Sequence, residues 1–307
     1  MSSKLHAPPT HRGYAFGLGA VVAFVLMVTL VKVCREAGLS SRSIVFYRGF
    51  VVLPFCWYLM RGLSYQVNTP LFLVGRCIFG FLAMFTSFAA MKWINIIEIN
   101  LLFNLQPILV AASAPIILGA IEKPDKRTLR ALGVALCGSV IIIGPELTML
   151  EMTSGNQRWI GLGLGAFGAF CGALAHVCLR GLKTTPAIVT VTWFQASIAA
   201  VALVPFDAQP LAPLWELPDL VLPLIGVGLA ALTGQLCLTR AYQELPAIRA
   251  SALGYAAPVV GVCVDIVIFA SWPMPHTLLG GALIITSGLW WLRPGYSGKE
   301  SKTSALH

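Results

Sequence analysis

The chain has 307 residues, of which 57% are hydrophobic and only 11% charged, with a mean hydropathy of +0.82. That excludes a water-soluble domain, in which about a quarter of residues carry charge. A net charge of +9 would suit a nucleic-acid binder, but Lys and Arg fall between apolar runs rather than along one face, which argues for a membrane protein and against nucleic acid.

Residues 1–12 form a short basic segment, and the apolar run after them leads into helix after helix. It reads as a first membrane span rather than a cleaved signal. Apolar runs long enough to cross a bilayer follow at roughly 13–33, 43–60, 71–90, 96–119, 128–145, 158–179, 187–205, 218–239, 247–270 and 276–292. The expectation is an all-α, polytopic membrane protein of ten transmembrane helices. The polar break Glu146 to Gln157 divides it into five plus five. Residues 1–145 then form a first repeat, 146–157 an outer connecting loop, 158–292 a second repeat and 293–307 a cytoplasmic tail. The eight cysteines lie mostly within the runs, without Cys-x-x-Cys, and read as small buried hydrophobes rather than disulfides or metal ligands.

Orientation follows from the Lys and Arg bias. With a cytoplasmic N-terminus, Lys32, Arg35, Arg42, Arg48, Lys92 and Arg158 lie on the outer side. The larger inner set includes Arg61, Arg76, Lys126, Arg127, Arg180 and Arg240, so both termini are placed in the cytoplasm. An odd number of spans per half makes the second half enter from the opposite side, so two similar halves become inverted repeats. Gly17-Leu-Gly-Ala and Gly163-Leu-Gly-Ala mark the first span of each half. Glycines are dense in the sixth span (Gly161, Gly163, Gly165, Gly168, Gly172), which suits close helix packing.

The most informative stretch runs from Ala90 to Pro107, and it aligns without a gap on Ala241 to Pro258. Glu98 falls opposite Arg249, Asn100 opposite Ser251, Asn104 opposite Tyr255 and Pro107 opposite Pro258. A proline in mid-span frees a backbone carbonyl, which is tolerable in lipid only against protein or a wet cavity. Two interrupted, polar-marked helices at matching places point to a transporter's binding site. Pro107 and Pro258 are the expected hinges.

These features resemble the drug/metabolite transporter superfamily, in its EamA branch. The resemblance rests on the tandem of five spans, Phe46-Tyr-Arg48, Pro107 followed by Glu122, Pro258, and Gly281-Ala-Leu-Ile-Ile-Thr-Ser-Gly288. It covers nearly the whole chain and implies alternating access of small metabolites through a central cavity, with no cofactor and no ATP-binding domain. No GxxxxGK[ST] sequence occurs. Where the family places a glutamate after the ninth helix, this chain has Ser271-Trp272-Pro273. Glu122 therefore reads as a local structural feature.

Asn100, Asn104 and Pro107 fall within about 60° of one another on a continuous helix. They are expected to line the cavity with Ser251 and Tyr255, the alternative being interhelical hydrogen bonds. Glu98 projects from the other face and is a candidate for proton coupling, for cation binding, or for pairing with Arg48 or Lys92. Arg48 either snorkels to the surface or faces a substrate carboxylate. Asp265 and His176 are the remaining titratable groups inside spans and candidates for proton transfer, although a histidine hydrogen-bonded between helices is the commoner case. Trp193 and Gln195, with Phe194 between them, offer a stacking surface and an amide, or ordinary packing.

The reading is a secondary transporter, acting as an exporter, of a small polar metabolite: an amino acid, a nucleoside-like or a metallophore-like compound. Import or exchange by the same architecture is the alternative. An intramembrane enzyme would need facing acids or a Ser–His pair in a Gly-x-Ser-x-Gly setting. A channel would show a filter sequence or pore-lining rings. The expected surroundings are the bilayer of a bacterial inner membrane, the substrate, and at most a second copy of the chain, as monomer or homodimer.

Overall fold

A computed structural model describes residues 11–63, 67–90, 92–94, 96–149, 158–203, 218–269 and 272–292. Within them every regular element is helical. Thirteen α-helices follow one another: α1 (His11–Glu36), α2 (Ser41–Phe50), α3 (Leu53–Met60), α4 (Pro70–Ala90), α5 (Ile96–Phe103), α6 (Gln106–Leu118), α7 (Lys126–Met149), α8 (Arg158–Gly181), α9 (Ala187–Ala202), α10 (Val221–Glu244), α11 (Ala247–Ala252), α12 (Ala257–Phe269) and α13 (Pro275–Leu292). Seven stretches are long and apolar enough to cross a membrane, and Ala187–Ala202 is a shorter apolar helix. The end of the expected connector, the cytoplasmic tail and the side chain of Asp265 lie outside the described residues.

Three spans are broken, and each break has a proline just beyond it. Pro107 and Pro258 open α6 and α12 as expected, each where a missing N–H is harmless. The third break, at Val51–Val52, was not anticipated from the sequence. Pro54 there starts α3 in the middle of the second span. The ninth span passes through a 3-10 turn, Leu253–Ala256, between α11 and α12. Asn104 and Leu105 leave the helix altogether. The continuous polar stripe expected from Asn100 to Pro107 is therefore divided: Asn100 is exposed, Asn104 half-buried and Pro107 buried.

Close contacts at glycine show how the halves are related. The side of α8 carrying Gly161, Gly165, Gly168 and Gly172 packs on α4, α5 and α6, while Gly163 faces open space. An added Cβ at Gly161 would meet Ile94 and Trp93, and one at Gly165 would meet Leu102. In the other half, Gly13 meets Leu245 and Glu244, and Gly17 meets Leu253. The register that sets Pro107 opposite Pro258 also sets Leu102 opposite Leu253, Ile94 opposite Leu245 and Trp93 opposite Glu244. Gly75 against Cys178 answers Gly226 against Leu30 in the same way.

Each half thus supplies its first helix to a groove on the other half, a two-fold exchange. The structural partner of Gly17 is accordingly Gly165, two positions on from the Gly163 suggested by sequence similarity. Where α7 meets α13, Gly138 and Gly280 face each other's backbone: a Cβ on either would lie 2.7 or 2.5 Å from the opposing carbonyl oxygen. Small residues are required here because only they let two backbones approach this closely.

Several cations assigned to loops by the charge count are structural. Arg42 is buried, and its Nε and Nη2 donate to the carbonyls of Ala202 and Leu203 at 3.0 and 2.9 Å, capping the end of α9. Arg180 and Arg76 are likewise drawn into the bundle, with the consequences described below.

Candidate functional site

The largest apolar cluster lies where α6, α8, α10, α11 and the 3-10 turn converge, and Tyr242 and Tyr255 are part of it. Beside it stands a set of buried polar groups. Arg76, on α4, is 4% exposed. Its Nη2 donates to Gln235 Oε1 of α10 at 2.8 Å, and its guanidinium lies 3.9 Å from the ring centroid of Phe194 on α9. Gly80 makes that stacking possible, since a Cβ there would meet Phe194 at 2.5 Å and Arg76 Nη1 at 3.1 Å. His176 of α8 stacks on Tyr242, with centroids 5.2 Å apart. Arg48, at the end of α2, borders the same two helices as Arg76: Gly49 beside it packs on the Gln195 backbone of α9, and the Arg48 carbonyl lies near Gly228 of α10.

Many of these groups have polar atoms with no hydrogen-bond partner among the described residues. They include Arg48 Nε, His176 Nδ1, both amide atoms of Gln195, Thr190 Oγ1 and Tyr255 Oη. Tyr242 Oη closes no well-formed bond among the described residues; the nearby Ser251 hydroxyl donates to Ile248 O at 2.9 Å and keeps its acceptor lone pairs. An orphaned buried polar atom costs about 1–3 kcal/mol. Several together make a poor folding device and a plausible receptor for a polar guest.

Of the sequence candidates, Gln195, Tyr255 and Ser251 are buried, while Arg48 and His176 are partly so. Trp193 is 55% exposed, on the opposite side of α9 from Phe194 and Gln195. Asn100 is exposed midway along α5, and Asn104 stands half-buried in the break. Glu98 pairs with neither Arg48 nor Lys92. Its Oε1 accepts from Arg158 Nη2 at 2.8 Å, at the start of α8.

Arg76, Gln235 and Tyr242 were missed. Arg76 lies six residues inside the third span, and a charge at that depth is a functional signal, but it was counted as a loop cation. Gln235 and Tyr242 carry no such mark. Arg76 aligns with Val227 and Gln235 with Met84, so this link between the halves has no symmetry-related counterpart, although the glycine contacts recur in both.

A second polar knot closes one end of the bundle. Glu122, 5% exposed, sits in the turn after α6. Its Oε1 accepts from Arg180 Nε at 2.8 Å and its Oε2 accepts from the backbone N–H of Ala247, also at 2.8 Å. Arg180 Nη1 donates onward to the carbonyls of Tyr242 and Gln243, and Gln243 Nε2 donates to Thr185 O at 2.7 Å. Glu122 is therefore no local feature: it joins the ends of α6, α8, α10 and α11. Its counterpart in the second half is Pro273.

The EamA-like transporter family model matches twice, over residues 11–144 and 159–292. The chain belongs to this family. It is 28% identical over 241 residues to a probable transport protein of Saccharomyces cerevisiae, a match covering 71% of this chain and 66% of that protein. It is 25% identical over 287 residues to a pseudopaline exporter of Pseudomonas aeruginosa, covering 90% and 94%. A solved crystal structure superposes with a TM-score of 0.73 over 91% of this chain and 95% of that one, and at 18% identity it shows the shared fold. This EamA-like protein is thus a multi-pass membrane protein that transports a small molecule, and it is not an enzyme.

Proposed function

We propose that the protein is a secondary active transporter that exports a small polar metabolite across a bacterial inner membrane by alternating access. The observation that carries this reading is the group of buried polar atoms without a hydrogen-bond partner among the described residues, drawn from both repeats: Arg48 from the first, and His176, Gln195, Tyr242 and Tyr255 from the second. Asn104, Ser251 and Asn100 would join as the broken helices move, with Pro107 and Pro258 as hinges. Glu98, His176 and Asp265 are the groups through which a proton could be coupled. A metallophore-like compound stands among the possible cargoes alongside amino acids and nucleoside-like compounds, and the pseudopaline exporter resemblance supports export of such a molecule.

The two-fold scaffold favours a carrier over a channel, because two exchangeable halves can present one site to either side in turn. The Glu122 knot ties four helix ends together at one face, and in such a cycle it must open. Flux through proteoliposomes tests the reading. A carrier gives flux that saturates with substrate and speeds up when substrate is present on the far side; flux linear in concentration without such stimulation refutes it.

A further inference from the structure

Two guanidinium groups share the middle of this bundle, and no carboxylate among the described residues answers them. Glu98 is held by Arg158, Glu122 by Arg180, and Asp125 caps the start of α7 through Thr128 N at 2.8 Å. Arg76 is enclosed, with an amide oxygen and an aromatic face as its contacts. Arg48 lies in the last turn of α2, just before the mid-span break, and its buried Nε faces protein rather than lipid. Gly49 beside it packs on the Gln195 backbone of α9, and the Arg48 carbonyl lies near Gly228 of α10, so α2 borders the same two helices that hold Arg76. Arg48 nevertheless keeps part of its surface accessible, and its Nε has no hydrogen-bond partner among the described residues.

A charge withdrawn from water without a counter-ion costs several kcal/mol. The neutral neighbours relieve only part of that, since Gln235 supplies one acceptor and Phe194 one ring face. The planar guanidinium fork is the side chain best matched to a carboxylate or phosphate. His176, Tyr242 and Gln195 add neutral hydrogen-bonding atoms without introducing negative charge.

We infer that the transported metabolite is an organic oxyanion, a carboxylate or phosphate compound, whose anionic group is received by Arg48 with Arg76 fixed behind it. This rests on the transporter reading and narrows it. A neutral nucleoside or an organic cation would leave both arginines uncompensated. Arg76 is held on Phe194 by the space Gly80 leaves and on α10 by Gln235, so its charge is fixed in place before the anion arrives.

The test loads proteoliposomes with the small-molecule extract of the expression host and profiles what leaves, against protein-free vesicles, by mass spectrometry. Carboxylates or phosphate esters should be enriched in the efflux by about tenfold or more, and which of the two moves identifies the source of the oxyanion. Arg48→Gln should lower that efflux by about tenfold or more, as expected for losing a charged hydrogen bond, and Arg48→Lys should restore part of it. Selective efflux of neutral or cationic compounds would overturn the inference and leave the transporter reading standing. Efflux of nothing would overturn both. Asp265→Asn is assayed alongside: if it destabilises the protein and Arg48→Gln then restores stability, the charges neutralise each other internally and the inference fails.

Discussion

Replacing Glu122 by Gln preserves its shape and removes its charge. In the native knot one carboxylate oxygen receives Arg180 and the other receives the first N–H of α11, both at 2.8 Å. That N–H belongs to the positive end of a helix, where an anion is favoured. The Glu122 side chain is 5% exposed and that of Arg180 19%, so water can rescue the stranded guanidinium only in part. Breaking a buried pair from one side costs about 3–5 kcal/mol; the partial access of Arg180, together with its carbonyl partners on α10, places this case near the lower figure, about 3 kcal/mol. The assay is equilibrium unfolding of the detergent-purified protein, with Arg180→Gln and the double variant completing a cycle. A coupling of roughly 2 kcal/mol is expected, within the range for contacting groups. A loss below about 1 kcal/mol for Glu122→Gln, or additive single variants, would show that the knot is an ordinary surface pair.

Glu98→Gln breaks a pair whose arginine is 32% exposed, so its stability cost in the same assay should be about 1 kcal/mol or less, well under that of Glu122→Gln. Tyr255→Phe deletes a buried hydroxyl that bonds nothing among the described residues. It should leave the thermal midpoint unchanged or raised while abolishing transport, as should Asn104→Ala; normal flux in both would remove these two residues from the site. Gly280→Ala drives a Cβ to 2.5 Å from the Gly138 carbonyl and should cost about 1–3 kcal/mol as α7 and α13 separate. Partial burial alone would raise the Asp125 carboxyl, but the hydrogen bonds from Thr128 outweigh it and hold the group below its ordinary value. Its folded-state pKa is thus depressed, so the contribution is fully present above the unfolded value and is lost as pH falls through the folded one. A titration of thermal stability below pH 4 or so should show this acid-side loss, and Asp125→Asn should lessen it.

What the sequence settled by itself was whatever depends on local chemistry repeated along the chain. Low charge and long apolar runs dictate membrane helices, and odd span parity with a matched pair of prolines dictates an internal two-fold. The breaks at Pro107 and Pro258 follow from a missing N–H, a local property. Their polar neighbours were harder to place, because a face drawn on a continuous helix loses its meaning once the chain unwinds at Asn104. That is why Asn100 turns outward while Pro107 is buried.

Tertiary structure alone decided which charges are paired and with what. Arg42, Arg76 and Arg180 look alike in a charge count, although Arg76 lies six residues inside its span. Yet one caps α9, one is enclosed beside Phe194 and Gln235, and one closes a knot with Glu122. A cation's role is set by the carbonyls, rings and carboxylates brought to it from distant parts of the chain, which no span boundary records. The same holds for register: Gly17 and Gly165 are equivalent because they meet Leu253 and Leu102, a match of contacts rather than of letters.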